Sequence, residues 1–181
     1  MSQNPFEAAR HLFIRRWGEM AASWGISRTM AEIHALLYLS TAPLCTDDVM
    51  EQLEVSRGSA STNLRELVNW GLIFGVHRRN DRKEYFEAEK DVWQMFETIL
   101  RERRRREIQP IVETLDRCIE MIEQDRQRSK SPMEGDLEAF KRRFTDLQEF
   151  CSTMNGFFNL VSKGGRERFG ALAGWLPKLA E

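Results

Sequence analysis

Apolar positions recur every three or four residues over most of this chain, and that period predicts a mainly helical protein. The first stripe is Phe6, Ala9, Phe13, Trp17, Met20 and Trp24. Pro5 suits the first position of that helix, and Gly25 ends it. Ser27 caps a second helix whose buried side is Met30, Ile33, Leu37 and either Leu36 or Tyr38, and Pro43 closes off that segment. A long helix opens at Asp91 with Val92, Trp93, Met95, Phe96, Ile99 and Leu100. Pro110 interrupts it by removing a donor, and Ile111, Leu115, Cys118, Ile119 and Ile122 carry the stripe on to about Gln127. Arg128 to Gly135 reads as a loop. Asp136 to about Ser162 is a further amphipathic helix, bearing Phe140, Phe144, Leu147, Phe150, Cys151 and Met154. Lys163-Gly164-Gly165 breaks it, and Phe169, Leu172, Trp175, Leu176 and Leu179 form a last short helix.

The stretch from Leu44 to Lys83 has a different pattern. Thr46 reads as a helix N-cap, with Asp47 and Asp48 in the first turn, where carboxylates suit the positive end of the helix dipole. That helix is short and ends near Glu54. Ser56 caps the next, whose inward face would be Ala60, Leu64, Leu67 and Val68. Its outer face carries Arg57, Ser59, Ser61, Thr62, Asn63 and Arg65, with no carboxylate before Glu66. An ordinary solvated face mixes Glu and Lys, whereas a helix entering the major groove needs small side chains and hydrogen-bond donors. Gly71 ends this helix as a C′ glycine. Leu72 to His77 and Glu84 to Ala88 read as strands, joined by the basic tip Arg78-Arg79-Asn80-Asp81-Arg82-Lys83 with its turn at Asn80-Asp81. A short helix, a tight turn, a polar helix and a basic hairpin make a winged helix-turn-helix. The residues expected to meet DNA are Ser56, Arg57, Ser59, Ser61, Thr62, Asn63, Arg65, Arg78, Arg79, Arg82 and Lys83. Arg82 is expected at the wing tip, oriented by Asp81. A basic turn in isolation would read as solvated surface, and winged helices also serve as protein-docking modules without DNA contact. The polar face together with the basic wing favours double-stranded DNA as the partner.

Charge sharpens this reading. The 181 residues carry a net charge of −1. Between Arg57 and Lys83 six cations face two carboxylates, a net +4, so the remainder carries −5. A basic patch on an otherwise acidic chain predicts binding that weakens with salt. The run Arg101 and Arg103 to Arg106 could add phosphate contacts, but Glu97, Glu102 and Glu107 lie at helical spacing to neutralise it.

The wing with Asp81-Arg82 resembles the MarR family of transcriptional regulators. A longer ordered set resembles its GbsR-type branch: Ala31 to Ser40, Leu44, Asp47-Asp48, Ser56-Arg57-Gly58, Asn63 to Leu67, Gly71-Leu72, Asp81 to Tyr85 and Asp91-Val92-Trp93. The likeness covers roughly residues 5 to 110. It implies a dimeric DNA-binding regulator, a repressor in the expected case. Better-known members of the branch control osmoprotectant uptake or synthesis genes and respond to choline or glycine betaine, so the same response is what the resemblance implies here.

The expected organisation is an N-terminal helix contributing to dimerisation (1–26), a winged helix-turn-helix (27–90) and a C-terminal helical dimerisation region (91–181). The C-terminal hairpin has more apolar surface than it can bury alone, and a two-fold homodimer would cover it. Phe13, Trp17, Trp24, Tyr38, Trp93 and Phe96 are the candidates for an effector cage, because aromatic faces attract a quaternary ammonium ion; the alternative is that they are ordinary core. Cys45, Cys118 and Cys151 are widely spaced, with no CxxC pair and no zinc-ligand spacing, and read as reduced cysteines filling small spaces. Redox sensing through Cys45 is the minor alternative. His11, His34 and His77 have no paired nucleophile, and Gly164-Gly165 is no phosphate loop, so an enzyme is not expected. No apolar run reaches membrane-spanning length and the N-terminus is not signal-like, which predicts a cytoplasmic protein; no metal or cofactor is expected, since neither zinc-ligand spacing nor a phosphate-cradling loop is present.

Overall fold

The computed structural model describes residues 4–79, 81–128 and 134–162, with side chains left out of the description at 125–128, 134–136 and 157–162. It is mainly helical with one small antiparallel sheet. Two compact units divide it, Met1–Thr98 and Ile99–Glu181.

In the first unit α1 (Pro5–Ser23) begins as expected. Asn4 caps it, its Oδ1 accepting from the Phe6 amide at 3.1 Å, and Pro5 takes the first helical position. Gly25 follows the helix at φ 77°, a left-handed conformation that costs glycine nothing. The aromatic stripe is expected to bury against the winged module, a second subunit or the C-terminal helices; within this unit α1 packs mainly through a neighbouring face. Its buried residues are Ile14, Gly18 and Ala21, whereas Phe6, Phe13, Met20 and Trp24 are exposed. At 100° per residue the aromatic stripe lies about a quarter turn from that face. The helices approach closely there: a Cβ on Gly18 would lie 2.6 Å from Glu32 Cγ, so a larger residue would have to displace the Glu32 side chain where α1 meets α2 (Arg28–Leu39). Ser27 caps α2 by accepting from the Met30 amide at 3.3 Å. This helix is the centre of the unit. Met30, Ala31, Ile33, His34, Ala35, Leu36 and Leu37 are all buried, and Tyr38 is half-buried, so Leu36 rather than Tyr38 completes the expected face.

Two residues after Pro43 form a strand that the sequence pattern did not announce, β1 (Leu44–Cys45). With β2 (Ile73–His77) and β3 (Glu84–Ala88) it makes an antiparallel sheet in the order β1-β3-β2. Leu44 pairs with Phe86 and Cys45 with Tyr85, while β2 runs from Ile73 opposite Ala88 to His77 opposite Glu84. β1 shifts the start of α3 (Thr46–Leu53): Cys45, not Thr46, is the cap, and its amide donates to Asp48 Oδ2 at 2.8 Å. Glu54 closes α3 in the left-handed region at φ 54°. Ser56 then caps α4 (Arg57–Trp70), and Gly71 ends it at φ 77°. The buried face of α4 is Ala60, Leu64, Leu67 and Trp70. Trp70 replaces the expected Val68, which is exposed beside a groove of about 310 Å³ between α4 and β3, lined by Thr46, Ser61, Leu64, Arg65, Val68, Glu84 and Phe86. This is a winged helix-turn-helix, with α3 and α4 as the paired helices and β2–β3 as the wing.

Helix α5 (Val92–Arg103) runs across the boundary between the units. A π-helical stretch, Arg104–Ile108, separates it from α6 (Gln109–Arg128). Pro110 has no amide to donate, and the wider turn just before it, with the Gln109 amide donating to the Arg104 carbonyl, takes up the register change. Glu102 is buried and accepts from Arg105 at 2.6 Å, with Arg106 3.9 Å away, and Arg103 lies 3.8 Å from Glu107. Three arginines of the run thus pair with carboxylates of the same helical stretch. α7 (Glu134–Ser162) packs on α6, starting two residues before the expected Asp136. Lys141 pairs with Glu123 at 2.8 Å across that hairpin. The glycine break at 164–165 and the expected last helix lie outside the described residues.

Candidate nucleic-acid interface

The N-terminus of α4 is built by the Ser56 cap. Its Oγ accepts from the Ser59 amide at 3.2 Å, leaving Ser56, Arg57, Gly58 and Thr62 exposed on one side. Ser59 and Ser61 are half-buried. Asn63 has partners within the protein. Its Nδ2 donates to the Ser59 carbonyl at 2.8 Å, and its Oδ1 accepts from Ser27 Oγ at 3.3 Å, so its amide is committed to α4 itself and to the start of α2. Arg65 is exposed on the wall of the α4–β3 groove, opposite Glu84.

The wing is fastened by its own polar groups. Asp81 accepts from the Lys83 amide with Oδ1 at 2.9 Å and from the Tyr85 hydroxyl with Oδ2 at 2.7 Å. These bonds hold its carboxyl below the usual range, the Lys83 amide acting most strongly. Both oxygens are thereby engaged, and Asp81 organises the turn rather than Arg82. Asn80 lies outside the described residues. Arg78 is drawn back onto the scaffold: its guanidinium stacks 4.0 Å from the Tyr85 ring centre and donates to the Pro43 carbonyl at 3.0 Å. Arg79 and Arg82 are exposed, and among the described residues neither has a hydrogen-bond or ion-pair partner.

Asp47 is the residue that sequence reasoning missed at this face. It is the second residue of α3, and its role there as a first-turn acid is only part of what it does. Oδ1 takes Arg57, the first residue of α4, at 2.5 Å, and Oδ2 takes Lys83, at the base of the wing, at 3.0 Å. Hydrogen bonds from Lys83 first and Arg57 second hold its carboxyl below the usual range, and Asp47 in turn raises Lys83. Three elements, α3, α4 and the wing, therefore meet at one carboxylate.

The aromatic residues proposed for an effector divide into groups. Phe13 and Trp17 stack at 5.6 Å, Trp17 lies 6.3 Å from the His34 ring, and His34 lies 6.3 Å from Tyr38. An imidazole therefore stands beside both Trp17 and Tyr38. Tyr38 already has a cation near its ring, Lys90 Nζ at 5.6 Å. That ammonium donates to the carbonyls of Leu37 (2.8 Å), Tyr38 (2.7 Å) and Ser40 (3.0 Å), capping the C-terminus of α2, which has no basic residue in its last turn. Burial lowers the Lys90 pKa. His34 is buried with Nε2 unpartnered among the described residues, and burial, then Lys90, lowers its pKa to about 4. Trp24 is exposed at the end of α1, and Trp93 and Phe96 are half-buried on α5.

No family model matches the chain. It is 25% identical over 167 residues to the HTH-type transcriptional repressor GbsR of Bacillus subtilis (strain 168), covering 85% of this chain and 92% of that protein. Over 90 residues it is 22% identical to the HTH-type transcriptional repressor OpcR of the same organism, covering 50% of this chain and 49% of that one. A crystal structure of a transcriptional regulator superposes with a TM-score of 0.62 at 18% identity, covering 86% of this chain and 94% of the other. These relatives are HTH-type transcriptional regulators, and the structural likeness establishes the shared fold.

Proposed function

We propose that this chain is a DNA-binding transcriptional regulator of the GbsR-type branch of the MarR family, acting as a homodimeric repressor. The observation that carries the reading is the convergence of α3, the capped start of α4 and the wing at one exposed, cation-rich face. In this reading α4 enters the major groove through Ser56, Arg57, Ser59, Ser61, Thr62 and Arg65, and the wing reaches the flanking backbone through Arg79, Arg82 and Lys83. Arg78 supports the wing from within. The resemblance to repressors along nearly the full length of GbsR favours this reading over a protein-docking module.

A second copy is the proposed cover for apolar surface left open on each unit. On α1 this surface includes Phe6 (68% exposed), Leu12 and Trp24; on α6 and α7 it includes Met121, Phe140 and Phe150. A two-fold dimer would set two α4 helices on half-sites about one helical turn apart. The proposed effector is a small quaternary ammonium compound held near Phe13, Trp17 and Tyr38, and this rests on the family resemblance. Such a ligand acts only as far as it prefers one dimer arrangement over another.

The test is fluorescence anisotropy on DNA from upstream of the chain's own gene, at two salt concentrations, with and without choline or glycine betaine. Specific, salt-sensitive binding shifted by the osmolyte supports regulator and effector together. Specific binding without a shift keeps the regulator and discards the effector. No binding there or to genomic fragments would overturn the DNA-binding reading in favour of protein docking.

A further inference from the structure

The DNA-facing surface holds a carboxylate where phosphate should be welcome. Of the six cations between Arg57 and Lys83, two are paired with Asp47 and one is turned onto Pro43 and Tyr85. Among the described residues, Arg65, Arg79 and Arg82 have no ion-pair partner. The side chains of Asp47, Arg57 and Lys83 are 45%, 67% and 56% exposed, so the cluster is open to an incoming anion. A fold that only needed to join α3 to α4 could do so with neutral groups. An acid at this point repels any backbone phosphate that approaches without displacing it.

We propose that Asp47 is a specificity-determining residue that competes with DNA phosphate for Arg57 and Lys83. The proposal rests on the DNA-binding reading above. A duplex gains these cations only when its phosphates reach the start of α4 and the base of the wing together. A loosely docked, wrong sequence supplies one phosphate or neither, and Asp47 keeps the pair. The carboxylate thus weakens non-specific complexes more than specific ones, which raises the ratio that decides occupancy among many competing sites.

Asp47→Asn removes the charge and keeps the shape. The expected result on a mixed-sequence 30-base-pair duplex is binding about two- to ten-fold tighter at low salt, the range that two exposed ion pairs allow. The plot of log affinity against log salt should steepen by about 0.9 for each extra phosphate neutralised. On DNA from upstream of the chain's own gene the gain should be smaller. Asp47→Glu should restore the original slope. Thermal melting by circular dichroism checks the fold, and Asp47→Ser, a good residue for a helix first turn, replaces Asn if melting falls. Unaltered protein that binds no DNA would sink the DNA-binding reading itself. Unaltered protein that binds, beside a folded Asn variant of equal or weaker affinity and the same slope, would overturn the role of Asp47 alone.

Discussion

His34 provides a pH test of the core. Its imidazole is 3% exposed against Trp17 and Tyr38, and burial lowers its pKa from 6.5 to about 4. A base whose folded pKa is depressed leaves stability untouched above the unfolded value. Stability is then lost as pH falls from about 6.5 towards 4, because only the unfolded chain takes up the proton there. With these two values the loss is roughly 2 kcal/mol at pH 5 and approaches about 3 kcal/mol below pH 4. The assay is urea unfolding of the original chain and of His34→Gln at pH 7.5 and pH 5.0, at one fixed protein concentration so that any association contributes equally. Carboxylates that titrate in this window act in both proteins and cancel in the difference. The original chain should lose about 2 kcal/mol more than the variant. Equal losses would refute the reasoning, and so would an imidazole titration near 6.5 by NMR. His34→Leu offers a second neutral replacement should Gln disturb the packing.

Three further outcomes follow from the geometry. Gly18→Ala gains about 1 kcal/mol of helix propensity but drives a methyl into Glu32 Cγ, so the melting temperature should fall; a rise would show that α1 and α2 tolerate the extra carbon. Lys90→Met leaves the last carbonyls of α2 without their ammonium donor and should cost about 1–3 kcal/mol in urea unfolding. Arg82→Ala should weaken all DNA complexes alike and reduce the salt slope by about 0.9; an unchanged slope would remove the wing tip from the interface.

The winged module was legible in the sequence because its boundaries rest on local chemistry. Ser56 and Gly71 each follow from one residue's conformational preference, and the two short apolar runs on either side of the basic tip mark the strands of the wing. β1 was not legible, since two residues after a proline show no alternation, and its existence depends on Phe86 and Tyr85 some forty positions away. The face of α1 was hidden for a different reason. Hydropathy favours large side chains, whereas close helix contact at Gly18 selects small ones. Val68 and Trp70 fit the spacing of α4 almost equally well, and only the tertiary packing shows that Trp70 is buried while Val68 lines the open groove beside β3. The anchoring of Arg57, Arg78 and Lys83 was hidden because their partners are distant in sequence or are backbone carbonyls. Composition showed the cations but not which of them were already engaged.

β3 has a mechanical role beyond pairing strands. At its start, Asp81, Lys83 and Tyr85 bind the wing to itself and to Asp47. Two residues past its end, Lys90 grips three carbonyls at the tail of α2. The strand is five residues long, about 17 Å at the usual rise, and is paired on both edges. It is therefore a strut pinned at both ends. A tilt of the wing would be felt first at the three carbonyls that Lys90 holds, at the far end of α2 from its Ser27 cap.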